Sequence, residues 1–255
     1  MADKPKRPER FDLNAGGKSG RLVPIAGTAL IIAFAVALVF YIVNTHHKKT
    51  AAAASGPGDA VRVTATNIVT APGGKPKAVV SLYEDFLCPA CGNFERGFGP
   101  TVSKLIDIGA VAADYSMVSI LDSSRNQNYS SRAGAAALCV ADESLDAFRR
   151  FHSALYSKEL QPSEAGTSFP DNARLIELAR ESGAAGSVPE CIKSGKNLTR
   201  VTSEAEIAGI RGTPTIKING EDYQWSTPEA FVEKIKTIVG EVPGIDSAAV
   251  SLSRL

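Results

Sequence analysis

Two cysteines separated by two residues, Cys88-Pro89-Ala90-Cys91, are the part of this 255-residue sequence best equipped for chemistry. A thiolate attacks a disulfide sulfur, and a second thiol three positions further on can close a small ring with the first. A C-x-x-C pair therefore suits electron exchange between dithiols and disulfides. The same spacing serves zinc and haem. Zinc wants a second close pair or histidines at ligand spacing, and His46, His47 and His152 stand in no such pattern. Covalent haem attachment needs a histidine directly after the second cysteine, and Gly92 stands there. The expectation is a redox pair with no metal and no cofactor.

Such a pair needs elements to aim it. Ala78–Tyr83 is a short apolar run of the type buried in a mixed sheet, and Pro89 opens a helix expected to bend near Gly97–Pro100 and to end around Gly109. Strand followed by helix puts Cys88 at a helix N-terminus, where unpaired N–H groups and the helix dipole favour its thiolate. Cys91 falls one turn in, buried, as the resolving thiol. Val61–Val69 reads as an edge strand with a turn at residues 71–74, and Val111–Val118 as the next strand. Residues 128–207 read as almost wholly helical, in pieces at Tyr129–Ala141, Leu145–Tyr156, Asn172–Ser182 and Lys196–Ile207. Strand pattern returns at Ile216–Ile218, Asn219-Gly220 is a hairpin signal, and Tyr223–Trp225 is the expected partner. Thr227-Pro228 starts a last helix running to Val239, with a loose tail after Gly240.

Pro214 stands where a strand begins, a place that tolerates proline. A cis Thr213–Pro214 bond would present the backbone of Thr213 to an extended peptide. An ordinary trans turn is the alternative, and the C-x-x-C pair in the same chain favours the cis form.

The net charge of +1 argues against a general nucleic-acid binder, because no basic face survives it outside the extreme N-terminus. A hydrophobic content of 44% is enough for a sizeable core. Residues 1–21 read as a polar, basic tail. Gly16-Gly17-Lys18-Ser19 is no phosphate loop, since Asp12 occupies the position of the first glycine and no strand precedes it. Residues 22–43 carry no charge and have the length of a membrane-crossing helix. A cleaved signal is the alternative, but His46-His47-Lys48-Lys49 separates the apolar run from the small residues at 51–54. The basic N-terminal flank predicts a cytoplasmic tail, so everything beyond Val43 would be extracytoplasmic. Residues 44–59 read as a linker, 60–127 and 208–240 as two parts of one α/β domain, 128–207 as a helical insertion, and 241–255 as a C-terminal tail.

Cys88-Pro89-Ala90-Cys91 after Tyr83-Glu84-Asp85-Phe86, with Gly212-Thr213-Pro214-Thr215 and Ile218-Asn219-Gly220 later, resembles the DsbA-like branch of the thioredoxin superfamily. The resemblance spans roughly residues 61–239. It implies an α/β thioredoxin-like fold with an inserted helical domain, preceded here by a single transmembrane helix. It implies dithiol–disulfide exchange with secreted or cell-envelope proteins, and re-oxidation by a membrane quinone-linked partner. By the same match Cys88 is the nucleophile, Cys91 the resolving thiol and Pro214 the cis-proline, with Thr213, Pro89 and Ala90 at the substrate-binding rim.

Some positions depart from that pattern. Pro-Ala between the cysteines lacks the histidine of the strongest oxidants, and Leu82 stands where thioredoxins place a buried acid. Glu84, Asp85 and Glu95 are the nearby carboxylates that could take a proton-shuttle role, though each is expected to be solvated or capping, as acids usually are. His152 is expected to be an ordinary helix residue. Cys139 and Cys191 can be two buried free thiols or one disulfide. Outside the cytoplasm the disulfide is preferred. A reductase or an isomerase would use the same residues, and a metallochaperone would use the pair as soft ligands, though only Met1 and Met117 could add to them.

Overall fold

The computed structural model describes residues 60–250. The expected tail, membrane anchor and linker fall on residues 1–59, outside the described residues. Among the described residues no helix is long and apolar enough to cross a membrane.

Alternation in the sequence produces the central strands. In β2 (Val79–Glu84) every second residue is buried, so Val80, Leu82 and Glu84 share the inner face. β3 (Ala112–Met117) is buried at every position, as expected for a strand covered on both sides. The two run parallel, Leu82 opposite Tyr115. β1 (Val61–Val63) closes the edge antiparallel to β3, and its Arg62 grips the buried carboxylate of Asp114 through two 2.7 Å hydrogen bonds. On the other side β4 (Thr215–Ile218) pairs antiparallel with β2, then β5 (Glu221–Asp222) with β4, giving the order β1-β3-β2-β4-β5.

Several boundaries differ from expectation. β1 stops at Val63 instead of Val69, and the chain beyond it makes only a bridge between Thr70 and Pro76. The hairpin at Asn219-Gly220 forms with both residues at positive φ, so pairing resumes at Glu221 and Asp222. The expected partner at Tyr223–Trp225 therefore starts too late. The segment after Gly240 is not loose over its described part: Val242, Ile245 and Ala248 are buried, and Val250 N–H donates to Thr101 Oγ1 at 2.9 Å.

Helix α1 (Pro89–Asp107) follows β2 and carries Pro100 within a continuous span. Its apolar stripe, Cys91, Phe94, Phe98, Val102 and Leu105, lies at helical spacing against the sheet. The block at 128–207 folds as α2 (Tyr129–Glu143), α3 (Leu145–Leu155), α4 (Asn172–Glu181), α5 (Val188–Ser194) and α6 (Leu198–Ile207). α5, which carries Cys191, was not foreseen. α2 is buried almost all round. At Gly134 a Cβ would come within 2.8 Å of Val201 on α6 and 3.2 Å of Met117 on β3, so only glycine allows this approach. α7 (Pro228–Val239) starts where expected, with Thr227 Oγ1 accepting from Ala230 N–H at 3.1 Å.

Candidate active site

Cys88 is the N-cap of α1. Its extended backbone (φ −70°, ψ 119°) turns the thiol back over the first turn, where Cys91 N–H donates to its Sγ at 3.4 Å. Pro89 at the first helical position lacks the N–H that would go unpaired there, and it pre-sets the helical φ. The loop leading in is held from both sides. Cys88 N–H donates to Asp85 O at 2.9 Å, and the buried Asp85 carboxylate accepts from Leu87 N–H and Leu121 N–H, each at 2.9 Å. From the helical insertion, Gln161 Nε2 donates to Cys88 O at 2.9 Å, while its Oε1 accepts from Arg96 of α1 at 3.0 Å. A side chain at position 92 would collide with Gln161, so Gly92 makes that contact possible.

Across from the helix, the Thr213–Pro214 peptide bond is cis, and Thr213 O lies 3.3 Å from Cys88 Sγ. Pro89 and Ala90 are exposed, Thr213 and Pro214 half-buried, and Cys91 fully buried. A groove of about 890 Å³ opens beside Pro89, lined among others by Asn93, Arg96, Ile120, Gln161 and Phe169. Trp225 stacks edge-on against Phe94 and Phe98 and stays partly exposed.

The two thiols, unbonded to each other, are electrostatically unlike. Hydrogen bonds from the Cys91 thiol, from Thr213 and from the N–H groups of Cys91 and Ala90 bring the Cys88 pKa down to about 6, against the opposing effect of burial. Burial raises that of Cys91 far above the usual thiol range, helped by its hydrogen bond to Cys88 and by the charge of Glu84. Cys88 is thus the thiolate near neutral pH and Cys91 the protonated partner.

Cys139 and Cys191 are bonded to each other and join α2 to α5 within the helical insertion, with Asn197 Nδ2 at 3.5 and 3.8 Å from their sulfurs.

The acids correct the expectation of solvation. Glu84, Asp85 and Glu95 are buried, as is His152 on α3. His152 Nε2 lies 3.0 Å from Glu84 Oε2, and its Nδ1 lies 3.7 Å from Glu95 Oε2. Burial pushes both glutamates up to about 8 and the histidine down, so the trio is neutral near pH 7. Ligand-type atoms of the three fall within 4.8 Å of one another. The 3.0 Å contact is a satisfied hydrogen bond without a cation, and we assign no metal there. A signal for the trio existed: Glu84 continues the buried alternation of Val80 and Leu82, Glu95 lies four residues after Cys91, and His152 four after Phe148.

Unequal thiols at the mouth of a helix beside a cis-proline loop are what dithiol–disulfide exchange requires, and on this sheet they define a thioredoxin-fold thiol–disulfide oxidoreductase. The family model described as thioredoxin matches residues 66–237, and the chain belongs to that family. The reduced crystal structure of DsbA from Mycobacterium tuberculosis is 69% identical, with a TM-score of 0.74 over 75% of this chain and 98% of that one. The reduced form of the disulfide bond oxidoreductase DsbG from the same organism is 68% identical, with a TM-score of 0.75 over 78% and 97%. Among curated proteins, the serine/threonine-protein kinase PknE of M. tuberculosis is 32% identical over 160 residues. That match takes in 57% of this chain, which spans only 28% of the kinase's length. The chain is therefore an enzyme of the DsbA type.

Proposed function

We propose that this enzyme oxidises cysteine pairs in secreted or cell-envelope proteins. The observation that carries the reading is the inequality of the two thiols, with Cys88 lowered to about 6 and Cys91 raised. Stabilising the Cys88 thiolate stabilises the reduced enzyme, which makes its disulfide the more ready electron acceptor. A substrate thiolate attacks Cys88 Sγ, and Cys91 leaves with the electron pair. The substrate's second thiolate then attacks the substrate sulfur of the mixed disulfide and expels Cys88. Two electrons end on the enzyme and one disulfide on the substrate. Cys88 is the nucleophile of the reverse step and Cys91 the resolving thiol. Thr213, Pro214, Pro89 and Ala90 form the rim on which an extended substrate segment rests.

Residues 22–43 anchor the chain in the membrane with the redox domain outside, and a quinone-linked membrane oxidase re-oxidises the pair. The charge-free run with its basic N-terminal flank supports this placement. A reporter fused after Thr50 is expected to work only if it is active outside the cytoplasm, and cytoplasmic reporter activity there would remove the anchor.

The test of the reaction is oxidation of a reduced, two-cysteine test protein by the full-length chain. Given the same test protein in its disulfide-bonded form, the Cys91→Ser variant should accumulate a mixed disulfide through Cys88, one substrate sulfur leaving as the thiolate. Trapping through Cys91 in a Cys88→Ser variant would reverse the two roles.

A further inference from the structure

The oxidation step above expels Cys91 as a thiolate into a place that cannot hold one, since the residue is fully buried. A proton has to arrive there, and it has to leave again on re-oxidation. Position 82, six residues before Cys88, is leucine and carries none. Glu84, buried on the inner face at the end of β2 and four residues before Cys88, is the carboxyl that bears on the equally buried Cys91 when it ionises. We propose that Glu84, Glu95 and His152 form a proton relay that serves Cys91 and exchanges with solvent through a cavity between α1 and α3, away from the substrate rim. The inference rests on Cys88 and Cys91 being the exchanging pair.

The geometry is that of groups holding protons among themselves. Glu84 comes from the sheet, Glu95 from α1 and His152 from the helical insertion, and all three are under a tenth exposed. His152 stands between the two carboxyls, with one ring nitrogen toward each. Oε1 of Glu84 and Oε1 of Glu95 have no N–H or O–H donor from other residues, while the two side chains hydrogen-bond to each other. Two carboxyl groups can share a hydrogen bond only if one carries the proton, so the bond between Glu84 and Glu95 marks at least one of them as protonated. Two protons over the three groups make the trio neutral, whether both sit on the glutamates or one has moved to the imidazole. Proton transfer within the trio therefore changes no net charge inside an apolar surround. The rings of Phe86, Tyr115, Phe148 and Tyr156 lie within 5.5 Å of the imidazole. The other titratable groups coupled to the trio are Cys88 and Cys91 through Glu84, together with Tyr115 and Tyr156; Arg149 and Asp107 act on Tyr115, and Asp85 on Tyr156.

A way out is present. A cavity of about 160 Å³ has Glu95 and His152 in its wall and Ser103, Arg149 and Ser153 at its other side. Ser103, Arg149 and Ser153 also line an open surface depression. This cavity shares no lining residue with the groove beside Pro89. When Cys91 leaves the disulfide, it takes the proton of Glu84. Glu84 regains one from Glu95 or His152, and the trio recovers its proton from water at the cavity. Re-oxidation reverses every transfer.

The first test needs no variant. Infrared difference spectra of the full-length wild type, oxidised minus reduced, should show carboxylic C=O bands that move with the redox state and shift in heavy water. Carboxyl bands identical in both states overturn the relay. Glu84→Gln keeps shape and removes the transferable proton, so resolution through Cys91 should slow on the order of 100-fold at neutral pH. The inflection near pH 8 in that rate should vanish, while alkylation of Cys88 keeps its pH profile. An unchanged rate and profile in a folded Glu84→Gln protein would sink the relay alone. Loss of all exchange in wild type, or retention of exchange in Cys88→Ser, would sink the underlying reaction. Saturable one-to-one binding of zinc, abolished by Glu95→Gln, would replace the relay by a metal site.

Discussion

The chain holds two cysteine pairs that its fold treats in opposite ways. Cys88 and Cys91 lie three positions apart at the start of one helix, as free thiols whose acidities are driven far apart. Cys139 and Cys191 lie 52 positions apart on two helices of the insertion and are bonded. Short spacing at a helix N-terminus makes a bond that forms and breaks. Long spacing between packed helices makes one whose value lies in the chain entropy it removes from the unfolded state. The difference shows that burial alone does not decide whether a thiol is bonded, since Cys91 and Cys139 are both buried, yet the first is free and the second is joined to Cys191.

The largest effects should separate the pairs by function. Cys88→Ser is expected to abolish disulfide exchange with a reduced test protein, whereas replacing Cys139 and Cys191 together by alanine should leave exchange measurable. The double replacement should instead cost about 4 kcal/mol of stability for a loop of this length, read by denaturant unfolding. Mild dithiothreitol followed by peptide mapping should find Cys88–Cys91 open and Cys139–Cys191 closed. Free thiols at the second pair in oxidised protein would erase the comparison.

A subtler effect concerns pH. The Cys88 pKa falls from 9.0 to about 6 on folding. Its contribution is therefore full above pH 9 and is lost as pH falls through about 6. The reduced protein should gain stability relative to the oxidised one as pH rises from about 6 to 9, and above 9 the buried Cys91 thiol, whose pKa burial raises, opposes any further gain. Glu84 and Glu95 act with the opposite sign. Their folded pKa values are raised from 4.5 to about 8, so their contribution is full below about 4.5 and lost as pH rises through about 8. Thermal melts of both redox states across pH 5–9 should resolve the two trends. A gap independent of pH would mean that Cys88 is not specially stabilised.

The smallest expected effect belongs to the contact between the two regions. Gln161→Ala removes the donor to Cys88 O and should cost about 1 kcal/mol, with a modest change in Cys88 alkylation rate and none at Cys139–Cys191. A Cys88 alkylation rate identical to wild type would show that the insertion does not help to hold the redox loop.

What could be read from the sequence alone divides along the same line. Cys88-Pro89-Ala90-Cys91 between a strand and a helix, Thr213-Pro214 before a strand, and the Asn219-Gly220 turn are local signals, each decided by a few adjacent residues. The long helices were legible from their 3.6-residue periodicity. α5 was not, because it is short and opens at Ser187-Val188-Pro189. Packing accounts for the rest. Nothing adjacent to Glu84, Glu95 or His152 says that they meet, and the usual exposure of acids argues against burial. Only the buried-face position of each within its own element carried the information. The β5 register failed for a smaller reason, a two-residue turn that brings the partner strand in two positions earlier.

The most direct test of the oxidase reading is the equilibrium reduction potential of Cys88–Cys91 in the full-length protein. A Cys88 pKa of about 6 lies between the roughly 7 of thioredoxin and the roughly 3.5 of DsbA, and potentials follow thiolate stability. The expected value accordingly lies between the roughly −270 mV and roughly −120 mV of those two proteins. A potential below that of thioredoxin would contradict the account and make the enzyme a reductase supplied with electrons from the membrane.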